Sequence, residues 1–324
     1  MTRPEPRTSM EPVTDLDHAR RALAAGRVDG IGGGMSDGIA DGAVLAADAA
    51  ARAAGVHIRE VGALAELDAI ARLYDRIWNR DKNPPLTTEL LRAFSKAGNY
   101  VAAAFADGEL VGACVGFFAA PAHEALHSHI AGVSPRAQGR NVGFALKVHQ
   151  RAWALLQGIG EIAWTFDPLI ARNAYFNVAK LAADPVEYLP NFYGRMNDGI
   201  NGADDTDRLV VSWRLDAAPV AGACRGRHRI APRAVLRDAA QALAVSASGA
   251  PVRAPRSGAR TLLVGVPPDI EGMRLSDPAL ASSWRAALRD VLGGLLADGA
   301  RVRGFDRAGW YVVSRPDGPN EGKK

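Results

Sequence analysis

The stretch that decides the fold is HSHIAGVSPRAQGRNVGFALKVHQ, residues 127–150. Its first residues predict a strand, which a proline ends, and the remainder predicts a helix. Such a turn points backbone N–H groups and a helix N-terminus at one place, which suits a pyrophosphate. Gly139 and Gly143 lack a Cβ and allow close approach of a ligand, and Asn141 tolerates a left-handed backbone. The sequence therefore predicts an anion site at this loop, to which Arg140 adds a permanent positive charge.

Regular elements surround this loop on both sides. Before it, the sequence predicts a strand, a helix at Leu64–Trp78, a second helix and two further strands. After it, the sequence predicts a strand, a helix and a last strand. Asp107-Gly108 between two of these strands is a strong hairpin signal, and Thr87 or Thr88 is placed to cap the second helix. The order over residues 56–215 is β-α-α-β-β-β-α-β-α-β, which predicts an α/β (α+β) fold with a mixed central sheet.

These residues resemble the GNAT superfamily of acyl-CoA-dependent N-acyltransferases. The family pattern is a strand, Val-x-Pro, and then [QR]-x-x-G-x-[GA] at the start of a helix. The chain has Val133-Ser134-Pro135 and then Gln138 to Gly143, with Asn141 where the family usually has glycine. The register Arg140-x-x-Gly143-x-Ala145 also satisfies the pattern.

Further segments resemble a bacterial branch of this family. They are FDPL at Phe166–Leu169, RNAYFN at Arg172–Asn177, Lys180-Leu181, and NFYG at Asn191–Gly194. The resemblance therefore extends well beyond the six-residue loop motif. The alternative is an unrelated α/β domain with a similar glycine loop.

The resemblance implies acetyl-CoA, or another acyl-CoA, as cosubstrate and no metal. In the family the pantetheine arm lies between the fourth and fifth strands, so the backbone N–H of Val133 would stabilise the oxyanion of the thioester. Asn173 and Asn177, one turn apart on the predicted helix, are candidates to hydrogen-bond CoA or substrate. The expected cofactor-binding residues are Val133, Gln138, Gly139, Arg140, Asn141, Val142, Gly143, Phe144, Ala145, Asn173 and Asn177.

A general base is needed because the acceptor amine must lose a proton, directly or through water. His127 stands six residues before Val133, where the histone-acetylating branch of the family has a glutamate. His129 lies two residues further along and hence on the same face of the strand. Because histidine titrates near neutral pH, we expect His127 or His129 to be the base, with buried core histidines as the alternative.

The family commonly uses a tyrosine on the helix after the fifth strand to protonate the leaving thiolate. The lysine-leucine pair at 180–181 aligns Val178 with that position. We expect Tyr175 or Tyr193 to replace the missing acid. Tyr188 is a further candidate, and a thiolate can also leave unaided, since thiols are good leaving groups near neutral pH.

By pattern, the chain divides into five sections. We expect a flexible or helical N-terminal arm at 1–55, a GNAT acyltransferase domain at 56–216, a linker with a short helix at 217–258, a C-terminal β-α-β-β subdomain at 259–316 and a disordered tail at 317–324. The arm is expected to contain a helix at Ala43–Ala54, and the linker helix is expected near Arg233–Leu243. The subdomain's long helix, Asp277–Asp298, has an apolar face that is costly to leave in water. We expect it to dock on the first domain or on a partner subunit, as a truncated second GNAT-like half or as an unrelated α+β cap.

Composition excludes several classes of protein. The 324 residues are 48% hydrophobic and 23% charged, with a net charge of +4, so neither disorder nor a clustered basic surface for nucleic acid is expected. Cys114 and Cys224 are too few for a disulfide framework or a zinc site. No segment has the length and apolarity of a membrane span, and the N-terminus lacks a secretory core, which predicts a cytoplasmic protein.

The leading hypothesis is an acyl-CoA-dependent N-acyltransferase that transfers an acetyl or short acyl group to the amine of a small molecule. We expect no nucleic-acid or membrane partner, and a homodimer is one option. Two alternatives stay open. One is a degenerate GNAT module that binds CoA or a partner without catalysis. The other takes its acyl group from an acyl-carrier protein, with Arg140 at the phosphopantetheine phosphate.

Overall fold

The computed structural model describes residues 15–16, 37–78, 85–194, 204–255 and 257–316. The tail at 317–324 and most of the expected N-terminal arm lie outside the described residues. The described strands are β1 (His57–Glu60), β2 (Tyr100–Ala106), β3 (Glu109–Phe118), β4 (Ala125–Val133), β5 (Glu161–Phe166), β6 (Asp184–Leu189), β7 (Arg208–Arg214), β8 (Ala240–Val245), β9 (Pro251–Arg253), β10 (Thr261–Gly265), β11 (Arg301–Asp306) and β12 (Trp310–Ser314).

Helices alternate with these strands. They are α1 (Asp37–Ala54), α2 (Leu64–Trp78), α3 (Thr88–Lys96), α4 (Val142–Leu156), α5 (Ala171–Ala174), α6 (Ala218–Cys224), α7 (Arg233–Asp238), α8 (Ile270–Ser276), α9 (Pro278–Leu288) and α10 (Gly294–Ala297). Two π-helical turns interrupt this pattern, Tyr175–Lys180 after α5 and Arg289–Gly293 after α9. The result is a mixed α/β fold, as the sequence predicted.

One compact unit contains the described residues up to Ile77, together with Leu86–Phe117 and His129–Ile159. Its strands are neighbours in the order β1-β2-β3-β4. The predicted hairpin between β2 and β3 is confirmed, because Asp107 and Gly108 have φ angles of 50° and 81°. Thr87 caps α3, as expected, by accepting a hydrogen bond from the Leu90 N–H at 3.3 Å.

Helix α1 packs against α4 in this unit through a face of small side chains. Ala43, Ala47 and Ala51 are fully buried and recur every fourth residue, so that they lie on one side of α1. The helix begins at Asp37 and includes two glycines, whereas the sequence predicted a helix only from Ala43. Packing of the alanine face outweighs the helix cost of glycine, about 1 kcal/mol per residue.

The other compact unit comprises Trp78, Pro85, Phe118–Ser128 and the described residues from Gly160 onward. Its first sheet has the order β4-β5-β7-β6, with β4 and β5 parallel and the other pairs antiparallel. The sequence analysis missed β6, because Asp184-Pro185 at its start and Glu187 within it are poor strand formers. Proline is tolerated there because β6 is an edge strand whose register shifts after Pro185.

A five-stranded sheet forms the C-terminal part of this second unit, with the order β11-β12-β10-β8-β9. The predicted β-α-β-β order is present, and Asp277 caps α9 by accepting from the Leu280 N–H at 3.0 Å. The section 217–258 was expected to be a linker with a helix near Arg233–Leu243. The helix ends at Asp238 instead, because residues 240–245 pair with β10 as a parallel strand.

The C-terminal sheet is attached to residues of the section expected to be the acyltransferase domain. The hydroxyl of Tyr311 donates to the carbonyl of Pro168 at 2.8 Å, and both groups are buried. Arg285 of α9 forms two hydrogen bonds with Asp167, each of 2.9 Å. The long C-terminal helix was expected to dock either on the first domain or on a partner subunit. Through these contacts it docks on the preceding section of its own chain.

Candidate functional site

The loop before α4 has the backbone that the glycine motif predicted. Gly139 has a φ of 80° with open space where a Cβ would lie, and Asn141 has φ 62° and ψ 19°. Asn141 is the N-cap of α4, but its side chain accepts no hydrogen bond from the first amides of the helix. The first turn of α4 contains no acidic residue. A helix N-terminus of this kind suits an anion such as a pyrophosphate.

Two other residues of the motif have distinct environments. A Cβ at Gly143 would lie 3.6 Å from the Cγ2 of Val133, which is ordinary van der Waals contact. Arg140 donates to the carbonyls of Ala54 and Gly55, at 3.3 and 3.2 Å, and so caps the C-terminus of α1. Gln138 is exposed, Phe144 is half-buried, and Val142 and Ala145 are buried.

His129 is the exposed histidine of β4. Its ring centroid lies 5.7 Å from that of Phe117, which stacks on Phe94 at 5.7 Å. Surrounding protein atoms desolvate the imidazole and lower the pKa of His129 below the ordinary 6.5, although the residue remains accessible. The imidazole is therefore mostly neutral at pH 7, the state a general base requires.

The two candidate bases differ in their distance along β4 from Val133. Six residues of strand cover about 20 Å and four cover about 13 Å. Both separations exceed the reach of a histidine side chain, so a proton from an amine at Val133 would pass to either residue through water. The rise per residue favours His129, which is the closer of the two.

The second unit brings His127 and Tyr193 to one face of its sheet. His127 is the register partner of Ala163 in the parallel β4–β5 pair, so Thr165 lies on the same face two residues further along β5. The Tyr193 hydroxyl lies 3.2 Å from the Thr165 Oγ1, and the Arg208 guanidinium lies 5.3 Å from the centre of the Tyr193 ring. Tyr193 remains 44% exposed.

The other candidate acids are held by different contacts. Tyr175 is half-buried beneath the Arg307 guanidinium, 4.8 Å from the ring centre. Tyr188 donates its hydroxyl to Asp207 at 2.8 Å, and burial together with the Asp207 charge raises its pKa well above the ordinary value. Val178, at the position where the family commonly has tyrosine, is fully buried.

The sequence predicted that Asn173 and Asn177 lie one turn apart on a regular helix. The structure differs from this prediction. The α-helix ends at Ala174 and a π-helical turn follows, so the register of Asn177 shifts relative to Asn173. Asn177 is buried and accepts a hydrogen bond from the Trp164 indole at 3.0 Å. Asn173 is half-buried.

A network of charged residues was missed entirely. Asp167 follows β5 and Asp204 precedes β7, and both are ion-paired with Arg274 and Arg285. All four side chains are at least 93% buried. Two features of the sequence indicate this network. One is the acidic run DDTD at 204–207, and the other is a pair of arginines four residues apart, at 285 and 289, which is the spacing of one helical turn.

A comparison with protein families now identifies the domain. Residues 67–176, from α2 into the π-helical turn, match the model of the Acetyltransferase (GNAT) family. This stretch is a domain of the GNAT superfamily. No curated protein is significantly similar to the chain.

Solved GNAT structures align with about half of the chain. The ribosomal-protein-S18-alanine N-acetyltransferase from Escherichia coli is 12% identical, with 50% of this chain and 96% of that chain covered and a TM-score of 0.41. The yncA acetyltransferase from Salmonella typhimurium, solved with acetyl-CoA, is 18% identical, with 51% and 98% covered and a TM-score of 0.41. RimJ from Mycobacterium smegmatis, in complex with CoA-disulfide, is 18% identical, with 54% and 92% covered and a TM-score of 0.42.

Two kinds of feature are absent from the described ranges, a metal site and a membrane-spanning helix. There, no group of three or more His, Cys, Asp or Glu side chains is arranged to hold a metal ion. None of the helices in those ranges combines the length and apolarity needed to cross a membrane.

Proposed function

We propose that this GNAT protein is an acyl-CoA-dependent N-acyltransferase that transfers an acetyl or short acyl group from CoA to the amine of a small molecule. The observation that carries the proposal is the loop before α4. It combines Gly139 and Asn141 at positive φ with a helix N-terminus whose N-cap side chain accepts no hydrogen bond from the backbone N–H groups of the first turn. These backbone N–H groups would bind the pyrophosphate of CoA.

The proposed chemistry is attack of the amine nitrogen on the thioester carbonyl carbon. His129, or else His127, takes through water the proton that the nitrogen loses as the new C–N bond forms. The backbone N–H of Val133 donates to the oxyanion. When the C–S bond breaks, the CoA thiolate takes a proton from Tyr193 or from solvent, so the products are an amide and free CoA.

Other residues have supporting roles in this proposal. Gln138, Val142, Phe144 and Ala145 line the pyrophosphate loop together with the two glycines. Asn173 is a candidate for contact with CoA. Asn177 would support the site only indirectly, because its side chain accepts a hydrogen bond from the Trp164 indole. Tyr175 is a weaker candidate for the acid because its ring is covered by Arg307.

A CoA-binding module without catalysis is the second candidate. It is favoured by Val178, which is buried where the family commonly has the acid tyrosine. The carrier-protein donor depended on Arg140, and the hydrogen bonds of this guanidinium to Ala54 and Gly55 argue against that role.

Calorimetry with acetyl-CoA tests the loop. Gly143→Glu should weaken binding at least 100-fold, because a carboxylate would oppose the pyrophosphate. A glutamate in the first turn of a helix favours the fold, so the loss would not come from unfolding. Gly143→Ala is the matched control, since its Cβ fits at ordinary contact distance, and its affinity should stay within a few-fold of the parent. Equal affinities of the glutamate and alanine variants would refute the assignment.

Thiol release in the presence of amine panels tests catalysis and the acceptor. One panel contains amino sugars, amino acids and polyamines, and the other contains short peptides with a free N-terminal alanine. Turnover of a small amine supports the proposal, and turnover of peptides alone rejects the small-molecule acceptor. Tight acetyl-CoA binding without turnover of any amine would support the non-catalytic module.

A further inference from the structure

Arg289, the residue directly after α9, forms a bidentate contact with the buried carboxylate of Asp207. Its Nε donates to the Oδ2 of Asp207 at 2.9 Å, and its Nη2 donates to the Oδ1 at 2.6 Å. The same Nη2 also donates to Asp205 at 2.7 Å. The Asp207 side chain is fully buried, and this bidentate contact supplies two of the four hydrogen bonds that the described residues donate to it.

The other hydrogen bonds of Asp207 come from the segment that carries Tyr193. The Asn191 N–H donates to the Oδ1 at 2.9 Å, and the Tyr188 hydroxyl donates to the Oδ2 at 2.8 Å. Burial by itself raises the pKa of Asp207, but the hydrogen bonds from Arg289, Asn191 and Tyr188 outweigh it, and the pKa is lowered overall. Asp207 therefore stays ionised and accepts the hydrogen bond that holds the Asn191 backbone in place.

Thr206 extends this contact to Tyr193 itself. Its Oγ1 accepts from the Tyr193 N–H at 3.0 Å and donates to the Gly194 carbonyl at 2.8 Å. Its N–H donates to the Asn191 side chain at 3.2 Å, and its carbonyl accepts from the Phe192 N–H at 3.0 Å. The backbone of residues 191–194 is thus bonded to two consecutive residues, of which the second is held by Arg289.

We propose that Arg289 is a positioning residue, which sets the Tyr193 hydroxyl against Thr165 through Asp207, Asn191 and Thr206. The inference rests on the proposed function, in which Tyr193 acts on the leaving thiolate. It gives the C-terminal helix a role in turnover. Without Arg289, the buried Asp207 loses two of its hydrogen bonds, its carboxylate is no longer stabilised, and the grip on Asn191 loosens.

The test compares Arg289→Ala and Arg289→Lys with Arg253→Ala as a matched control. Arg253 forms an exposed ion pair with Asp290 at 2.7 Å and belongs to the same C-terminal part of the chain. Hydrogen exchange of residues 190–194, read by mass spectrometry, should accelerate in Arg289→Ala and stay unchanged in Arg253→Ala. Exchange in β10–β12 should stay slow in both, which shows that the fold is intact. Unchanged exchange of 190–194 in Arg289→Ala overturns the proposal.

Kinetics then ask whether the positioning matters for turnover. Arg289→Ala should lower kcat about 10–100-fold, the usual cost of a misplaced group, with acetyl-CoA affinity unchanged. Arg289→Lys should recover only part of the loss, since lysine cannot form the bidentate contact. In a Tyr193→Phe background the Arg289→Ala change should have little further effect. An equal loss in both backgrounds refutes the role. If the parent protein turns over no amine, the proposed function fails while the exchange experiment still decides the positioning.

Discussion

The loop before α4 and residues 204–207 before β7 are both polar, but they use their polar groups in opposite ways. In the first, residues 138–141 are exposed, the Asn141 side chain accepts no hydrogen bond from the first turn of α4, and that turn has no acidic side chain. In the second, Asp204, Asp205 and Asp207 are all paired with arginines of α9 and the π-helical turn that follows it. In the proposed function the first loop binds a ligand, whereas the carboxylates of the second form ion pairs inside the protein.

This difference teaches where substitutions should act. An exposed loop of glycine and asparagine contributes little to stability, so changes there should alter ligand binding or activity. A buried network of charges is already desolvated, so the loss of one partner should alter stability first. The predictions below test this division, beginning with the largest expected effect.

His129→Ala should lower kcat/KM by roughly 10²–10⁴ while leaving the melting temperature nearly unchanged. The parent activity should be flat above neutral pH and fall as pH drops through the His129 pKa, below 6.5, because protonation removes the base. Steady-state kinetics from pH 5 to 9 measure both effects. His57→Ala, an exposed histidine on β1, is the control. Full activity with an unaltered pH profile in His129→Ala would move the role to His127, or to neither if His127→Ala is also active.

Arg285→Ala should lower the free energy of unfolding by about 3–5 kcal/mol, because Asp167 and Asp204 would lose a partner inside the protein. Denaturant unfolding measures the change, with Arg253→Ala as an exposed ion-pair control expected to cost about 0–1 kcal/mol. Acetyl-CoA affinity of the folded Arg285→Ala protein should match the parent. A loss of stability no larger than that of the control would contradict the division between the two regions.

Acid should destabilise the protein through the same network. Burial raises the pKa of Asp167, but Arg285 and Arg274 outweigh this and lower it well below its ordinary value. The unfolded chain therefore binds a proton near pH 4 while the folded protein does not, so the stability is complete above pH 4 and falls as pH drops further. We expect the melting temperature to fall by about 2–4 °C between pH 5 and pH 3 through Asp167. The decrease of the melting temperature with falling pH should be smaller in Asp167→Asn. An equally steep decrease in that variant would assign the acid sensitivity to other groups.

Asn141→Ala should cost about 1 kcal/mol of stability, and Asn141→Gly should be close to neutral. The φ of 62° is unfavourable for alanine and free for glycine, and no side-chain cap is lost in either variant. Thermal unfolding of the two variants side by side measures the difference. Equal melting temperatures would show that the left-handed conformation is not retained.

Local pattern predicted most of the elements that carry the candidate site. Helical periodicity predicted Leu64–Trp78 with both ends correct, and Asp-Gly predicted the β2–β3 hairpin. The strand–glycine loop–helix pattern predicted the conformation of Gly139 and Asn141. These features depend on neighbours in sequence, because turns, caps and helix faces are set by residues a few positions apart.

Long-range pairing decided what local pattern missed. Strand β6 forms because β7 offers it a partner, although Asp184 and Pro185 disfavour a strand. Strand β8 replaces the second half of a predicted helix because β10 pairs with it. The π-helical turn after Ala174 also shifts the asparagine register, which no regular periodicity anticipates.

The sequence by itself determined the family, the order of most strands and helices, and a loop whose backbone suits an anion. Only the tertiary structure decided which side chains meet, such as Arg289 with Asp207, Tyr193 with Thr165, and Arg140 with the end of α1. The reason is that backbone conformation follows from local sterics and hydrogen bonds. Partners 28 to 86 residues apart, in contrast, are chosen by the packing of whole elements.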